Sequence, residues 1–221
     1  MLPIPDPILW PIGPVALRWY GVLIVCGALL GAWVASKDAA RRGEEPSNVW
    51  DALFVVLIAG LIGARLYHVF SSPQDSPVNF QYYLANPVKI LFVWEGGLGI
   101  FGGVLGGAIG LWLFAKWRKL NALRWLDIAA PALLLGQAIG RWGNYFNQEL
   151  YGYPTTLPWG IPIDAAHRLP QFASLNEDTL YHPTFLYESL LNFLGFVLLL
   201  WVARRYAEKL LDGEIFLFYL M

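Results

Sequence analysis

The chain has 221 residues, 57% hydrophobic and 14% charged, with a mean hydropathy of +0.49 and a formal net charge of −1. A soluble domain carries about a quarter charged residues, so the deficit points to lipid as the solvent, and the charge balance gives no sign of a nucleic-acid partner. The single cysteine, Cys26, excludes an intrachain disulfide and a zinc cysteine cluster and reads as a small buried hydrophobe.

The N-terminus has no basic residue before Arg18 and no clear small-residue cleavage site, so its first apolar run reads as a retained membrane helix, not a secretory leader. A bilayer crossing needs about 20 mostly apolar residues. Five full spans are expected, at roughly 15–36, 49–70, 91–115, 126–142 and 183–203. A sixth begins at Gly213, where GEIFLFYLM is too short to cross, so either the chain is incomplete or that end packs in another way. The fold expected is an all-α polytopic membrane bundle, a single domain over 1–221. Residues 143–182 form an irregular outward-facing arm, too long for a plain connector.

Basic residues set the orientation. Segments 37–48, 116–125 and 204–212 hold ten of the 15 lysines and arginines, whereas 71–90 and 143–182 hold only Lys89 and Arg168. The N-terminus, 71–90 and 143–182 therefore face outward. The third span carries GGVLGGAIG, whose four-residue glycine spacing predicts close helix packing, not a phosphate loop.

Ionisable groups inside a membrane default to functional hypotheses. Arg18, Arg65, Arg141, Glu95 and Glu188 fall in the outer half, with His68 one turn beyond Arg65. Only Asp51 and Asp127 lie near inner ends, and Asp127 opens a helix, where a carboxylate suits the dipole. In GRWGNYFNQELYG (140–152), a helix running past 140 puts Arg141, Asn144 and Gln148 on one face, with Asn147 and Glu149 beside it. An arginine fork set among amides suits a phosphate, and a phospholipid headgroup is the abundant anion at that depth. The competing reading is structural: Arg65 and Arg141 pair with Glu95, Glu149 or Glu188 to hold the bundle together.

At GQAIGRWGNYFNQELYG followed by TTLPWGIPID, the sequence resembles the bacterial prolipoprotein diacylglyceryl transferases. RWYG (18–21), GARLYHVF (63–70), WEGGLGIFGGVLGG (94–107) and HPTFLYES (182–189) match in order, so the resemblance covers essentially the whole chain. It implies transfer of the diacylglyceryl group of phosphatidylglycerol to the lipobox cysteine of a prolipoprotein. The site would lie on the outer face of the bacterial inner membrane, with no cofactor and no metal. By this resemblance Arg141 is the essential signature arginine, and Asn144, Asn147, Glu149 and Gly152 complete that motif. Tyr20, Arg65 and Glu188 match the tyrosine of the first span, the arginine of the second and the glutamate of the tyrosine–glutamate pair. Two departures stand out. Phe101 occupies a position where many members carry a histidine cast as a base. The family also has about seven spans, its second essential arginine lying beyond Met221.

The chemistry expected is phosphate stabilisation by Arg141 and headgroup positioning by Asn144 and Asn147. Arg65 supplies a second charge or pairs with Glu188, and Glu149 orients Arg141. The base is open: His182 and His68 are candidates, against readings as a turn residue before Pro183 and a packed ring. Tyr20 binds headgroup or sits in the interfacial belt. A transporter predicts polar residues through the full depth and a repeat, neither of which is visible; a non-catalytic lipid-binding subunit is the other alternative.

Overall fold

The structure is a computed structural model and describes residues 3–12, 15–206 and 209–221. Five helices in it are long and apolar enough to cross a membrane. They are α1 (Trp19–Arg41), α2 (Ser47–Ser71), α4 (Ile100–Trp117), α5 (Ala122–Asn147) and α6 (Thr184–Arg205), with two short helices, α3 (Phe80–Ala85) and α7 (Glu214–Leu220). The contacts divide the chain into two compact units.

The unit 39–125 is built on α2 and α4. Their glycines do what the spacing predicts. A Cβ on Gly63 would overlap the Gly102 carbonyl and lie 2.9 Å from Gly106 Cα, and one on Gly110 would lie 2.6 Å from Ala59 Cβ. The helices touch backbone to backbone, which gains dispersion contact in lipid, where no hydrophobic force drives association. Arg118 pairs with Asp51, and Arg124 Nη1 meets Glu44 Oε1 at 3.1 Å.

Two expectations about element starts are corrected. The third span begins at Ile100, not 91: residues 87–95 form two 3-10 turns, and Gly96 and Gly97 adopt φ of +88° and +74°. Left-handed backbone cannot continue a helix, and glycine takes it without a Cβ penalty. The first span begins at Trp19, not 15, because Ile8–Ile12 (β1) and Val15–Arg18 (β2) pair antiparallel. Prolines at 3, 5, 7 and 11 withhold the N–H groups that a helix would need.

The other unit, 1–38 with 126–221, contains α5, α6, α7 and the arm. Gly27 lies against the Gly136 carbonyl and Gly31 against Ala132, each so close that a Cβ would come within 3.2 Å and 3.0 Å of the facing oxygen. Helix α5 runs through Pro131 to Asn147, so the signature arginine and asparagines are helical. The arm folds as three short strands, β3 (Pro154–Thr155), β4 (Ile161–Pro162) and β5 (Leu180–Tyr181), in the order β3-β5-β4. Tyr145, Ile161, Ile163, Phe172, Tyr181 and Phe185 form its core. Arg168, counted at first only as a loop charge, staples this arm. Its Nε donates to the Ile163 carbonyl, Nη1 to Leu175 and Asn176, and Nη2 to Glu177.

The C-terminal run is a docked helix. Asp127, 1% exposed, accepts from the N–H groups of Gly213 (2.8 Å) and Phe216 (2.9 Å). This corrects its expected role. Helix α5 starts at Ala122, and the Asp127 carboxylate caps α7, not its own helix. Ile215 then buries against Ala130, Leu199 and Ala203.

Candidate active site

The residues singled out in the sequence fall in both units. In the unit holding the arm, α5 carries Arg141, Asn144 and Asn147 along its last two turns, and α6 carries Glu188 one turn after its start. Arg141 Nε lies 2.6 Å from Glu188 Oε2, with side chains 37% and 46% exposed. Among the described residues nothing else engages Arg141, so its two terminal nitrogens stay open. The carboxylate pairs at the Nε end and leaves the Nη edge, which can meet an oxyanion through two parallel donors.

Glu149 was expected to orient Arg141; Glu188 takes that place. Glu149 Oε1 instead accepts from Asn144 Nδ2 (3.1 Å) and Asn147 Nδ2 (3.2 Å). The residues on either side of Glu149, Gln148 and Leu150, have φ of +52° and +53°. Non-glycine residues rarely adopt this region, and a flanking pair holds the chain in a costly turn that displays Glu149. Partners hold the turn in place: Gln148 Oε1 accepts from Asp164 N at 2.8 Å, and Thr184 Oγ1 donates to the Leu150 carbonyl.

Tyr20 packs its ring on Gly143; a Cβ there would lie 2.9 Å from Cε2. The phenol is thus set beside the Arg141–Asn144 turn, and its hydroxyl has no partner among the described residues. Gly152, carried over as a binding residue, serves packing. Its N–H donates to the His182 carbonyl (2.9 Å), and a Cβ would lie 2.8 Å from His182 Cβ. That contact holds His182 beside Gly152, two residues past Leu150. His182 Nδ1 lies 3.0 Å from Tyr187 Oη, which accepts from Trp159 Nε1 at 2.8 Å. The bond has two senses: Nδ1–H donating to Tyr187 leaves Nε2 with the lone pair that a base requires, whereas Tyr187 O–H donating to Nδ1 puts the ring proton on Nε2. Trp142 Nε1 donates to Ser189 Oγ (3.2 Å), which donates to the Ala138 carbonyl (2.8 Å), fixing α6 beside α5 at the Arg141–Glu188 level. Sequence reading passed over Tyr187 and Ser189, although they flank Glu188 in YES.

Arg65 and His68 belong to the other unit. Arg65 is 5% exposed and its donors are all consumed. Nε donates to the Ile90 carbonyl (2.8 Å), Nη1 to Gly96 (2.6 Å) and Gly97 (2.9 Å), and Nη2 to Lys89 (2.6 Å) and, more distantly, Phe92 (3.4 Å). The guanidinium keeps its charge, but its donors are spent on carbonyls of its own unit, so the direct bonds to a phosphate fall to Arg141 in the reading below. His68 lines a cavity of about 240 Å³ with Arg65, Tyr82, Lys89 and Glu95. Its Nε2 lies 3.4 Å from Ser72 Oγ, and its ring meets Tyr83 edge-on. In the same cavity the hydrogen bond from Lys89 to Glu95 (2.7 Å) holds the lysine pKa above its ordinary value. Phe101 is 71% exposed, against Tyr67.

Five apolar helices long enough to cross a membrane, with a half-exposed arginine at the end of one of them, define a polytopic α-helical membrane protein. The chain belongs to the prolipoprotein diacylglyceryl transferase family, whose profile matches residues 7–221. It is 44% identical over 207 residues to a Streptomyces coelicolor protein named phosphatidylglycerol–prolipoprotein diacylglyceryl transferase 2, covering 93% of this chain and 62% of the relative. Proteins with the same name, without the numeral, in Chloroflexus aggregans and Streptococcus pneumoniae are each 40% identical, over 198 and 222 residues. These alignments cover 88% and 98% of this chain and 63% and 78% of the relatives. The chain thus spans less than two thirds of the length of the first two.

Proposed function

We propose that the full-length protein transfers the diacylglyceryl group of phosphatidylglycerol to the lipobox cysteine thiol of a prolipoprotein. The site would lie at the outer face of the bacterial cytoplasmic membrane, with residues 143–182 as the outward arm. The names of the relatives support the substrates, and the distribution of basic residues supports the orientation. One observation carries the assignment of the site: of Arg65 and Arg141, the arginines set in spanning helices near their outer ends, only Arg141 keeps its terminal nitrogens free of backbone carbonyls, while Arg18, likewise without a side-chain partner among the described residues, lies exposed at the end of β2.

In the reaction, sulfur attacks the glyceryl carbon that bears the phosphate ester. The S–C bond forms, the C–O bond breaks, and its electron pair leaves on glycerol phosphate. Arg141 binds the phosphodiester and meets the charge that grows on the leaving oxygen. Asn144 and Asn147 hold Glu149, whose second oxygen accepts from the glycerol hydroxyls of the headgroup. Tyr20 Oη donates to the same headgroup. His182 Nε2 takes the thiol proton, because the thiolate is the nucleophile and a free thiol ionises only near pH 8.5.

The test is lipidation of a lipobox peptide in phosphatidylglycerol vesicles by the full-length protein, read as the mass of a diacylglyceryl group on cysteine. Arg141→Ala is expected to lower turnover about 100-fold or more, the scale of losing one oxyanion contact. Near-normal turnover would remove Arg141 from the role. Headgroup binding without any mass gain in the wild-type protein would favour a non-catalytic lipid-binding subunit.

A further inference from the structure

Residues 84–101, from the end of α3 to the start of α4, present two opposite chemistries. Toward the α2 side lies Arg65, whose one guanidinium takes the carbonyls of Lys89, Ile90, Phe92, Gly96 and Gly97. Away from it stand Leu84, Val88, Leu91 and Trp94, 65%, 62%, 70% and 73% exposed. Val88 and Leu91, three apart, share one side of the first 3-10 helix, and Trp94 lies in the second, after the break at Phe92. The same apolar exposure continues into the spanning helix α4 at Ile100, Phe101, Val104 and Leu105. The charges of the segment neutralise each other, with Lys89 Nζ within 3.0 Å of both Glu95 oxygens and over the Phe92 ring.

A loop in water has no need of this arrangement, because water satisfies its carbonyls. Non-helical backbone at membrane depth must have its polar groups satisfied by protein. An apolar outer face with a tryptophan is the pattern of a segment lying in the headgroup–acyl boundary. We propose that residues 84–101 lie in the bilayer interface, with Val88, Leu91 and Trp94 inserted among the lipids, and that Arg65 is the device that makes their backbone compatible with lipid. Arg65 is then a structural cation serving a membrane-seated segment. This goes beyond the transferase reading and does not depend on it.

The test uses the full-length protein in vesicles of phosphatidylethanolamine and phosphatidylglycerol. Cys26, exposed in the structure and not buried as its apolar run suggests, is replaced by Ser together with any cysteine outside these 221 residues, and nitroxide labels are placed singly at Val88 and Leu91, exposed sites where a label displaces no packing. Asp75 in the preceding loop is the aqueous reference and Val104 in α4 the lipid reference. The ratio of oxygen to nickel-chelate collision is expected to be several-fold above that at Asp75 and close to that at Val104 at both sites. An Asp75-like ratio at either site overturns the proposal. A label-free measurement stands beside it: the fluorescence difference between wild type and Trp94→Phe isolates one indole. Brominated lipid is expected to quench that difference, and its survival at full strength would equally overturn the proposal. Neither readout involves turnover, so failure here leaves the transferase reading untouched, and the converse holds.

Discussion

Arg65 and Arg141 read alike in the sequence: each is an arginine near the end of an apolar span, within reach of a glutamate. What separates them is where their donors go. Arg65 is spent on carbonyls 24 to 32 residues away in the chain, a relation no local pattern contains. Arg141 is held by one carboxylate through Nε and stays open at Nη. The distinction predicts opposite phenotypes. Arg65→Ala removes the shared donor of several part-buried carbonyls, each costing up to about 1–3 kcal/mol where water cannot replace it, so it should fail by lowering the thermal midpoint and the yield of folded protein. Arg141→Ala should leave the midpoint nearly unchanged, since an ion pair this exposed contributes about 0–1 kcal/mol. A thermal scan of both variants in detergent checks this, and the reverse order would contradict it. The signature turn was legible because Arg141, Asn144 and Asn147 share a helix and the glycines beside them leave space. The swap of Glu149 for Glu188 as partner was not, because it depends on where α6 sits against α5.

At the scale of elements, the five spans were legible because lipid imposes length and composition directly on each segment. Their starts were misplaced where a non-helical device intervenes, as at Gly96–Gly97 before α4 and the β1–β2 pairing before α1. The α2–α4 glycine contact was readable from spacing, and it makes a quantitative prediction. Gly63→Val forces a side chain into the Gly102 carbonyl and should cost about 1–3 kcal/mol by overpacking. Gly140→Val, where a Cβ meets nothing within 4 Å, should cost far less. Unfolding monitored by circular dichroism in mild denaturing detergent compares them, and equal losses would refute the contact. The cap of α7 was invisible in the sequence because Asp127 lies 86 residues before Gly213. Asp127→Ala leaves two buried N–H groups without an acceptor and should destabilise the protein by about 2 kcal/mol. Asp127→Asn, which keeps one oxygen, should recover part of that. Proteolysis of the 209–221 segment is the readout, with wild-type resistance in the Ala variant as the contrary result.

For the molecule as a whole, the physical logic is economy of polar groups in an apolar solvent. Most buried donors and acceptors have a structural partner: Arg65 and Arg168 for carbonyls, Asp127 for N–H groups, Gln148 for the strained turn. Whereas the partnerless Trp125 Nε1 and Tyr181 Oη are buried, Arg141 Nη, the second oxygen of Glu149, Tyr20 Oη and the His182 ring are among the polar groups left open in the described residues, and they belong to one unit. That residue of unspent polarity is what the proposed function uses. The most direct measurement is photolabelling of the full-length protein with phosphatidylglycerol carrying a photoreactive group on its head glycerol, followed by peptide mapping. Labelling is expected within residues 141–149 and at Tyr20, and it should be lost in Arg141→Gln. Labelling that maps elsewhere, or that persists unchanged in Arg141→Gln, would contradict the assignment of Arg141 as the phosphate-binding cation.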